Sequence, residues 1–458
     1  MAFKKVKMTV KKITCIGAGY VGGPTMAVIA LKCPEIEVTV VDSNQNKINQ
    51  WNGPIDNLPV FEPGLSEIIA KTRNKNLFFS DNIDKAILDA EIIFMAVNTP
   101  TKESGEGAGM ACDLKYIKAC AQNISKVSKS DKIVVEKSTL PVRTAETIKE
   151  ILMENSKYHF EVLSNPEFLA EGTAINDLFK SDRVLIGSDP SQSGQEAAQK
   201  LVEIYERWIP KNKILKLNVW SAELAKLASN AMLAQRISSI NSLSAICEKT
   251  NANIDEVSKA IGLDHRIGKH FLKVSPGFGG SCFKKDILNL VYLCKFYGLE
   301  EVAEYWHNVV KINEYQVERI VGKIDEYIKE NKYELNVSIL GWAFKKNTND
   351  SRESASIYVA YKLISKGYNI SIYDPMVSEK RVYEDLLALN SKYQRLKEKQ
   401  LKENIKVYDD LTALIDENKI LAVLTEWDQF KVLKDLDQEY KIFDFRNFID
   451  QEAVTMRL

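Results

Sequence analysis

The sequence is poor in histidine and carries no net charge. It has four histidines in 458 residues, and its 62 lysines and arginines are matched by 62 aspartates and glutamates. So few histidines argue against a multi-histidine metal centre, and we expect no metal site. A neutral chain is also unlike a general nucleic-acid binder, which needs an excess of basic residues. Any anionic ligand must therefore be bound by a local group of cations.

The chain also lacks disulfide spacing and long hydrophobic runs. Its seven cysteines are an odd number without a CxxC pair, which is typical of reduced thiols in a cytosolic protein. No apolar run approaches the roughly 18 residues of a membrane helix. The basic segment Met1–Lys12 leads straight into a short strand and a glycine-rich turn, so we do not interpret it as a signal peptide. We expect a cytoplasmic protein without membrane partners.

The sequence begins with a short strand, a glycine-rich turn, a helix and a second strand. The β-branched run Ile13–Ile16 precedes GAGYVGGP at Gly17–Pro24, an apolar helix follows to about Leu31, and the strand Val38–Val41 ends at Asp42. A GxGxxG turn is a weak signal by itself, because glycine-rich turns are common. The flanking strand, helix, second strand and acid about 20 positions further on make it typical of NAD binding.

Each residue of this unit has a physical role in that interpretation. Gly17 permits the turn, Gly19 lets the backbone approach a pyrophosphate, and Gly22 lets the helix pack on the strand. The N–H groups at the helix start would meet the phosphates. Asp42 would bind ribose hydroxyls and repel a 2′-phosphate, which favours NAD over NADP.

Strands and helices continue to alternate, which predicts a parallel sheet with helices on both faces. Polar loops follow these strands, at the edge where such sheets bind ligands. The predicted strands, with the last closing the series, are Ile92–Val97, Lys132–Glu136, Phe160–Leu163 and Val184–Gly187.

The second half begins with a long helix. Ala222–Lys249 lacks glycine and proline and repeats apolar residues at helical spacing. More helix follows to about Ile328, interrupted by the glycine-rich stretch Ser275–Asp286. A second α/β unit begins near Asn336, and within it the charged segment Arg381–Lys406 is interpreted as a solvated helical insertion. Its predicted strands are Val337–Leu340, Ile370–Tyr373, Ile420–Leu424 and Ile442–Phe445.

The predicted fold is therefore α/β, with two Rossmann-like doubly wound domains joined by a long central helix. We expect an N-terminal NAD-binding domain at 1–220, a central helical and dimerisation domain at 221–330, and a C-terminal UDP-sugar-binding domain at 331–458. The last assignment depends on the resemblance given below.

Three groups of residues invite a chemical interpretation. Cys282 lies among glycines and beside lysines, and this pattern alone leaves a nucleophile and a buried structural thiol equally open. Glu167 and Glu171 are expected on one face of a helix beginning at Asn165-Pro166, either as a solvated pair or as a general base. Lys226 and Asn230 are spaced i, i+4 on the long helix, where they form a packed polar stripe or part of a site.

The motifs together resemble the UDP-glucose 6-dehydrogenases of the UDP-glucose/GDP-mannose dehydrogenase family, most closely those of animals. The resemblance is collinear over nearly the whole chain, and GFGGSC with NPEFLAEG is far more specific than a dinucleotide turn. The matching strings are GAGYVGGP (Gly17–Pro24), VNTPTK (Val97–Lys102), EKSTLPVR (Glu136–Arg143), LSNPEFLAEGTAI (Leu163–Ile175), AELAKLASNAMLAQRISSINSLSAIC (Ala222–Cys247), GFGGSCFKKD (Gly277–Asp286) and LGWAFKK (Leu340–Lys346).

This family oxidises the C6 alcohol of UDP-glucose to a carboxylate, using NAD twice. The resemblance implies that Cys282 is a nucleophile forming a thiohemiacetal and then a thioester. Asp286 with Lys226 and a water would deprotonate the C6 hydroxyl. Lys226 and Asn230 would stabilise negative charge on oxygen.

Glu167 would assist proton transfer in thioester hydrolysis, with Thr139 positioning a water. The division of general-base work between Glu167 and Asp286 stays open. The remaining cofactor positions implied by the resemblance are Tyr20, Val21, Lys47, Val97, Thr99, Thr101, Ser138, Glu171 and Arg352, together with Thr139 and Cys282. The substrate positions are Glu167, Phe168, Leu169, Glu171, Lys226, Asn230, Arg266, Lys273, Phe278, Gly279, Phe344, Lys345 and Arg446.

Arg266 matches an arginine that the family delivers across a subunit interface, so at least a dimer is expected, with a hexamer as the larger alternative. Phe445 stands where the family has the glycine of an Asp-Gly-Arg motif, which predicts strain there if the backbone φ is positive. Two other functions are considered. One is a sibling dehydrogenase acting on GDP-mannose or a UDP-N-acetylhexosamine, and the other is a non-enzymatic NAD-binding scaffold.

Overall fold

The computed structural model describes residues 10–154, 156–394 and 396–458. Most of the basic N-terminal segment, residues 1–9, lies outside this described part. The chain divides into two compact units, the first ending at Ser229 and the second beginning at Asn230. Both units are α/β, as the sequence predicted.

The first unit is built on an eight-stranded sheet in the order β3-β2-β1-β4-β5-β6-β7-β8. Its first six strands are parallel, whereas β7 runs antiparallel to β6 and parallel to β8. The strands are β1 Lys12–Ile16, β2 Glu37–Val41, β3 Leu77–Ser80, β4 Ile92–Met95, β5 Lys132–Glu136, β6 Phe160–Ser164, β7 Val184–Ser188 and β8 Ile214–Asn218.

Helices cover both faces of this sheet, and a separate hydrophobic cluster fills each side. The central strands β4, β5 and β6 are buried along their whole length, because both faces are covered. The helices are α1 Gly22–Lys32, α2 Gln45–Asn52, α3 Leu65–Thr72, α4 Ile83–Asp89, α5 Lys115–Val127, α6 Thr144–Glu154, α7 Ala174–Phe179, α8 Gln192–Tyr205 and α9 Val219–Thr250.

The prediction from the sequence missed both outer strands of this sheet, and it did not include the antiparallel pairing of β7 with β6. The series does not close at Val184–Gly187, because β8 follows it, and β3 was not predicted. Both are edge strands with half-exposed patterns, and so they lack the continuous apolar run that marks a central strand.

The helix α9 is the long helix that the sequence predicted, and it begins in the first unit and ends in the second. It spans 32 residues without interruption. Polar side chains are buried along it, and a helix face with this many buried polar groups needs partners for them. These side chains are Glu223, Lys226, Asn230, Ser238, Asn241 and Ser244.

The second unit has a six-stranded parallel sheet in the order β11-β10-β9-β12-β13-β14. Its strands are β9 Asn336–Leu340, β10 Asn369–Tyr373, β11 Ile405–Val407, β12 Ile420–Val423, β13 Lys441–Asp444 and β14 Met456–Arg457. Its remaining helices are α10 Ile254–Gly262, α11 Phe283–Phe296, α12 Glu300–Glu330, α13 Ala355–Ser365, α14 Glu379–Tyr393, α15 Glu398–Glu403 and α16 Leu411–Glu417.

The charged segment Arg381–Lys406 is helical but is not a purely solvated insertion. Val382, Leu386 and Leu401 are buried in the core of the second unit, and the segment ends in the edge strand β11. The interpretation was wrong because these few apolar side chains are widely spaced among lysines and glutamates. Within the described residues, no helix is both long and apolar enough to cross a membrane.

Candidate active site

The glycine-rich turn between β1 and α1 has the shape that a dinucleotide needs. Gly17 has φ 114°, and a Cβ there would lie 2.3 Å from the carbonyl oxygen of Ala96. A Cβ on Gly22 would lie 1.9 Å from the carbonyl oxygen of Gly17, so the helix packs tightly on the turn. A Cβ on Gly19 would meet nothing within 4 Å. The open side of the turn is therefore at Gly19, next to the N-terminus of α1, where a pyrophosphate fits.

Asp42 follows β2 and is held by three donors. Its carboxylate accepts the N–H groups of Ala18 and Asn44 and the ammonium of Lys47, each at 2.9 Å. Partial burial acts to raise the pKa of Asp42, but these hydrogen bonds outweigh it and hold the pKa below its ordinary value. Asp42 is thus ionised and placed at the strand end where a ribose binds.

The loops after β4 and β5 carry further expected cofactor residues at the same edge of the sheet. The hydroxyl of Ser138 donates to the carbonyl oxygen of Val97 at 2.7 Å, which joins the two loops. Thr101 pairs with Cys112 in an isolated bridge, and Val21 is the N-cap residue of α1. Tyr20 lies in the glycine-rich turn, Thr99 in the loop after β4 and Thr139 in the loop after β5.

Glu167 and Lys226 form a buried ion pair. The ammonium of Lys226 is 3.2 Å from Oε1 of Glu167, with 5% and 9% of the two side chains exposed. The other oxygen, Oε2, accepts the N–H of Leu169 at 2.6 Å. The ring of Phe168 lies near two cations, with its centroid 5.2 Å from the ammonium of Lys226 and 3.9 Å from the guanidinium of Arg183. A buried carboxylate beside an ammonium is suited to proton transfer.

The predicted helix that would place Glu167 and Glu171 on one face is wrong. Residues 165–170 are irregular, and helix begins only at Ala174. Gly172 has φ 82°, which a helix does not allow, and the carboxylate of Glu62 accepts the N–H groups of Gly172 and Ala174 at 2.8 and 3.1 Å. The loop is therefore shaped by a residue far away in the sequence.

A second buried carboxyl pair lies near this loop and was missed in the sequence. Glu223 of α9 accepts the N–H groups of Arg143 and Ala145 at 2.7 and 2.8 Å, at the start of α6. Glu136, at the end of β5, is fully buried beside it. Burial and the neighbouring charge of Glu223 raise the pKa of Glu136 well above its ordinary value, and burial also raises the pKa of Glu223. No local pattern indicates this pair, because its members are far apart in the chain.

In the second unit, Cys282 occupies the N-cap position of α11. Its Sγ lies 3.4 Å from the hydroxyl of Ser281. All seven cysteines lie in the described residues, and Cys282 is partly exposed whereas the other six are buried. A thiol at a helix N-terminus is placed where negative charge is stabilised. This placement favours the nucleophile over the structural thiol.

The first turn of α11 carries Asp286, whose carboxylate accepts a hydrogen bond from a side chain of α9. Asn230 donates to Oδ2 of Asp286 at 2.6 Å, and Asp286 is 1% exposed. Lys284, two positions after Cys282, forms an ion pair with Glu353 at 3.0 Å and donates to the hydroxyl of Tyr358 at 3.3 Å. Lys226 and Asn230, at i and i+4 of α9, thus each hold one of the expected acids.

The glycines before Cys282 allow close packing against the segment 344–353. Gly280 has φ 82° and donates its N–H to the carbonyl oxygen of Arg352 at 2.8 Å, and a Cβ there would lie 3.1 Å from the ring of Phe344. A Cβ on Gly279 would lie 2.7 Å from the carbonyl oxygen of Glu353. The guanidinium of Arg352 itself is paired with Asp350.

The expected substrate residues of this unit include several cations. Arg446 donates to the carbonyl oxygens of Leu424 at 2.7 Å and Phe344 at 3.1 Å, and Lys345 lies 5.5 Å from the ring of Phe344. The turn that carries Arg446 is not strained at Phe445, which is fully buried; its left-handed residue is Asn447, with φ 49°.

Three further substrate candidates lie on the long loop before α11. The side-chain amide of Asn313 accepts the N–H of Phe278 at 2.8 Å and donates to the carbonyl oxygen of Phe278 at 3.1 Å. Lys273 is exposed, and Arg266 is exposed and paired with Asp264 at 2.6 Å. Among the described residues, no group of three or more histidine, cysteine or acidic side chains could hold a metal ion.

Three family models match the chain in sequence. They describe the NAD binding, central and UDP binding domains of the UDP-glucose/GDP-mannose dehydrogenase family, at residues 11–209, 220–315 and 338–451. A UDP-glucose 6-dehydrogenase of Drosophila melanogaster is 51% identical, over 97% of this chain and 94% of its own. UDP-glucose 6-dehydrogenase 4 of Arabidopsis thaliana is 53% identical, over 96% and 94%. The solved UDP-glucose dehydrogenase of Pyrobaculum islandicum is 28% identical with a TM-score of 0.84, covering 100% of this chain and 99% of that one.

Proposed function

The chain belongs to the UDP-glucose/GDP-mannose dehydrogenase family, and from that premise we propose that it oxidises UDP-glucose to UDP-glucuronate with NAD. The observation that carries the mechanism is the partly exposed Cys282 at the N-terminus of α11. An alcohol dehydrogenase that stops at the aldehyde needs no nucleophile. Oxidation of an aldehyde to an acid needs a tetrahedral adduct, and a thiolate supplies one.

The first oxidation requires a base at the C6 hydroxyl. NAD, when bound, accepts one hydride in each of the two oxidations. Asp286, fixed by Asn230 and acting through a water with Lys226, takes the hydroxyl proton. Lys226 and Asn230 then stabilise the negative charge that develops on the C6 oxygen.

The second oxidation and the release of product use the other residues. The thiolate Sγ of Cys282 attacks the aldehyde carbon and gives the oxyanion of a thiohemiacetal, which becomes a thioester when the second hydride leaves C6. A water positioned by Thr139 then attacks the carbonyl carbon. Its proton passes to Glu167, the C–S bond breaks, and the thiolate of Cys282 is restored.

The proposed binding roles are divided between the N-terminal and C-terminal parts of the chain. The turn Gly17–Gly22 and Asp42 hold the dinucleotide, and the residues 97–101 and 138–139 surround it. Phe344, Lys345, Arg446 and the loop Lys273–Gly279 hold the UDP part, whose phosphates need cations. These roles correspond to an NAD-binding part at 1–220, a central part at 221–330 and a UDP-sugar part at 331–458.

The same premise extends to assembly and location. Arg266 is exposed and corresponds to the arginine that the family supplies to the neighbouring subunit, which supports at least a dimer and allows a hexamer. Seven cysteines without a disulfide support a cytoplasmic location.

Substrate profiling separates this proposal from its alternatives. UDP-glucose, GDP-mannose and UDP-N-acetylglucosamine would each be assayed with NAD and with NADP. We expect the highest kcat/KM for UDP-glucose with NAD. A preference for either other sugar nucleotide would establish a sibling dehydrogenase, and no reduction of cofactor with any of them would favour a binding scaffold.

A further inference from the structure

A fully buried lysine directly after β5 has no role in the mechanism above. The ammonium of Lys137 donates to Oδ1 of Asn165 at 3.0 Å and to the hydroxyl of Tyr205 at 3.3 Å. The hydroxyl of Tyr205 in turn donates to Oδ1 of Asn165 at 2.7 Å. The three side chains thus form a closed, buried triangle, which we call the Lys137 cluster.

The Lys137 cluster fixes the start of the loop that carries Glu167. Besides its two bonds within the cluster, Asn165 donates its side-chain amide to the carbonyl oxygen of Leu185 at 2.7 Å and its N–H to that of Glu136 at 2.9 Å. Asn165 is therefore held from β5, β7 and α8 at once. Glu167 follows only two residues later, so its backbone has little freedom.

The charge of Lys137 needs a further explanation. Neither an amide oxygen nor a hydroxyl neutralises an ammonium, and a buried charge without a counterion is costly. Burial lowers the pKa of Lys137 to about 8, and the charge of Glu167 acts in the opposite direction. Lys226 repels Lys137, so the buried group contains two cations and one carboxylate, Glu167.

We propose that Lys137 is a positioning residue for Glu167: with Tyr205 it clamps Asn165, and so it fixes the start of the loop that holds the Glu167 carboxylate beside Lys226. The consequence rests on the proposed function, because Glu167 must be fixed in place to take the proton of the water that hydrolyses the thioester. Without Lys137, hydrolysis becomes slow and the thioester on Cys282 accumulates.

The test compares Lys137→Met and Tyr205→Phe with Lys132→Met. Lys132 is a matched control, because it is equally buried at the other end of β5 and donates to the carbonyl oxygens of Leu88 and Ala90. We expect kcat to fall at least about tenfold in Lys137→Met, with little change in the KM for NAD. Acid quenching and intact mass measurement should show the UDP-sugar acyl adduct on the protein. Tyr205→Phe should show the same effect to a smaller degree, and Lys132→Met should keep its kcat.

Equal kcat in Lys137→Met and Lys132→Met would overturn the proposal, and so would a lower kcat without the adduct. If Lys137→Met does not fold, Tyr205→Phe decides, because it removes one hydrogen bond and keeps the ring. An adduct in that variant supports the proposal, and wild-type kcat overturns it. Failure of the wild-type protein to oxidise UDP-glucose would instead contradict the proposed function.

Discussion

Exposure distinguishes one cysteine among seven. Burial raises the pKa of the Cys33 and Cys120 thiols to about 12 and also raises that of Cys15 and Cys294. Such thiols stay protonated and unreactive near neutral pH. Cys282 lies at a helix N-terminus with part of its surface exposed, so reactivity should be confined to it.

The variant Cys282→Ser should bind UDP-glucose and NAD and yet fail to complete turnover, because a serine hydroxyl is a far weaker nucleophile than a thiolate. Calorimetric titration measures the two bindings, and absorbance of the reduced cofactor measures turnover. Cys294→Ser, on the same helix but buried, is the control and should stay active. Full activity in Cys282→Ser would return this residue to a structural role.

Lys137 also makes stability depend on pH in a defined direction. Its pKa falls from 10.5 to about 8 on folding, chiefly because of burial. The neighbouring Glu167 and Cys15 act to raise this pKa, and Lys226 acts to lower it. The hydroxyl of Tyr205 accepts a hydrogen bond from the ammonium. Below pH 8 the folded state therefore carries the cost of a buried charge, up to about 3 kcal/mol. Between pH 8 and about 10.5 the folded lysine loses its proton before the unfolded one does, so this cost disappears as the pH rises.

Lys137→Met should therefore gain stability relative to the wild type at pH 7, and this advantage should shrink towards pH 10. Urea unfolding at both pH values measures it. A variant that is less stable by the same margin at both pH values would show that Lys137 acts only as a packing group.

At the scale of elements, the sequence predicted the centres of both sheets and missed their edges. The four strands that it did not predict, β3, β8, β11 and β14, are the outer strands of the two sheets. They span 2 to 5 residues. An edge strand has one free side and half-exposed side chains, and so it lacks the apolar run that identified the buried strands.

The candidate site shows a similar division. Residues set by local motifs, such as Gly17, Asp42 and Cys282, could be assigned from the sequence. The irregular loop before α7 could not, because Glu62 shapes it from 110 residues away. Lys137 lies inside EKSTLPVR, one of the strings that match the family. Its role depends on Asn165 and Tyr205, which only the fold brings into contact with it.

The glycine turn allows a prediction that separates folding from binding. Gly19→Ala should leave the melting temperature nearly unchanged, because the added Cβ meets nothing within 4 Å of the chain. It should weaken NAD binding at least about tenfold, since it occupies the surface where the pyrophosphate approaches.

Gly17→Ala is the comparison, and it should lose stability as well as binding. Its φ of 114° and a Cβ 2.3 Å from the carbonyl oxygen of Ala96 both oppose a side chain. Thermal unfolding and titration with NAD measure the two variants. Unchanged affinity in Gly19→Ala would contradict the placement of the pyrophosphate.

At the scale of the whole molecule, the exposed Arg266 predicts a site shared between subunits. Arg266→Ala and Cys282→Ser should each be inactive by themselves. After subunit exchange, mixed dimers combine the Cys282 of one chain with the Arg266 of the other. Random pairing then restores about one quarter of the wild-type activity. If the mixture stays inactive although mixed dimers form, Arg266 serves its own chain.

The central claim is that one protein carries out two successive oxidations of the same carbon. Conversion of an alcohol to a carboxylate removes four electrons, and each NAD accepts two. The most direct test is the amount of reduced cofactor formed per UDP-glucose, measured by absorbance with limiting sugar nucleotide and excess NAD. The account predicts two reduced cofactors for each UDP-glucose and UDP-glucuronate as the product. One reduced cofactor per sugar, with an aldehyde released, would contradict it.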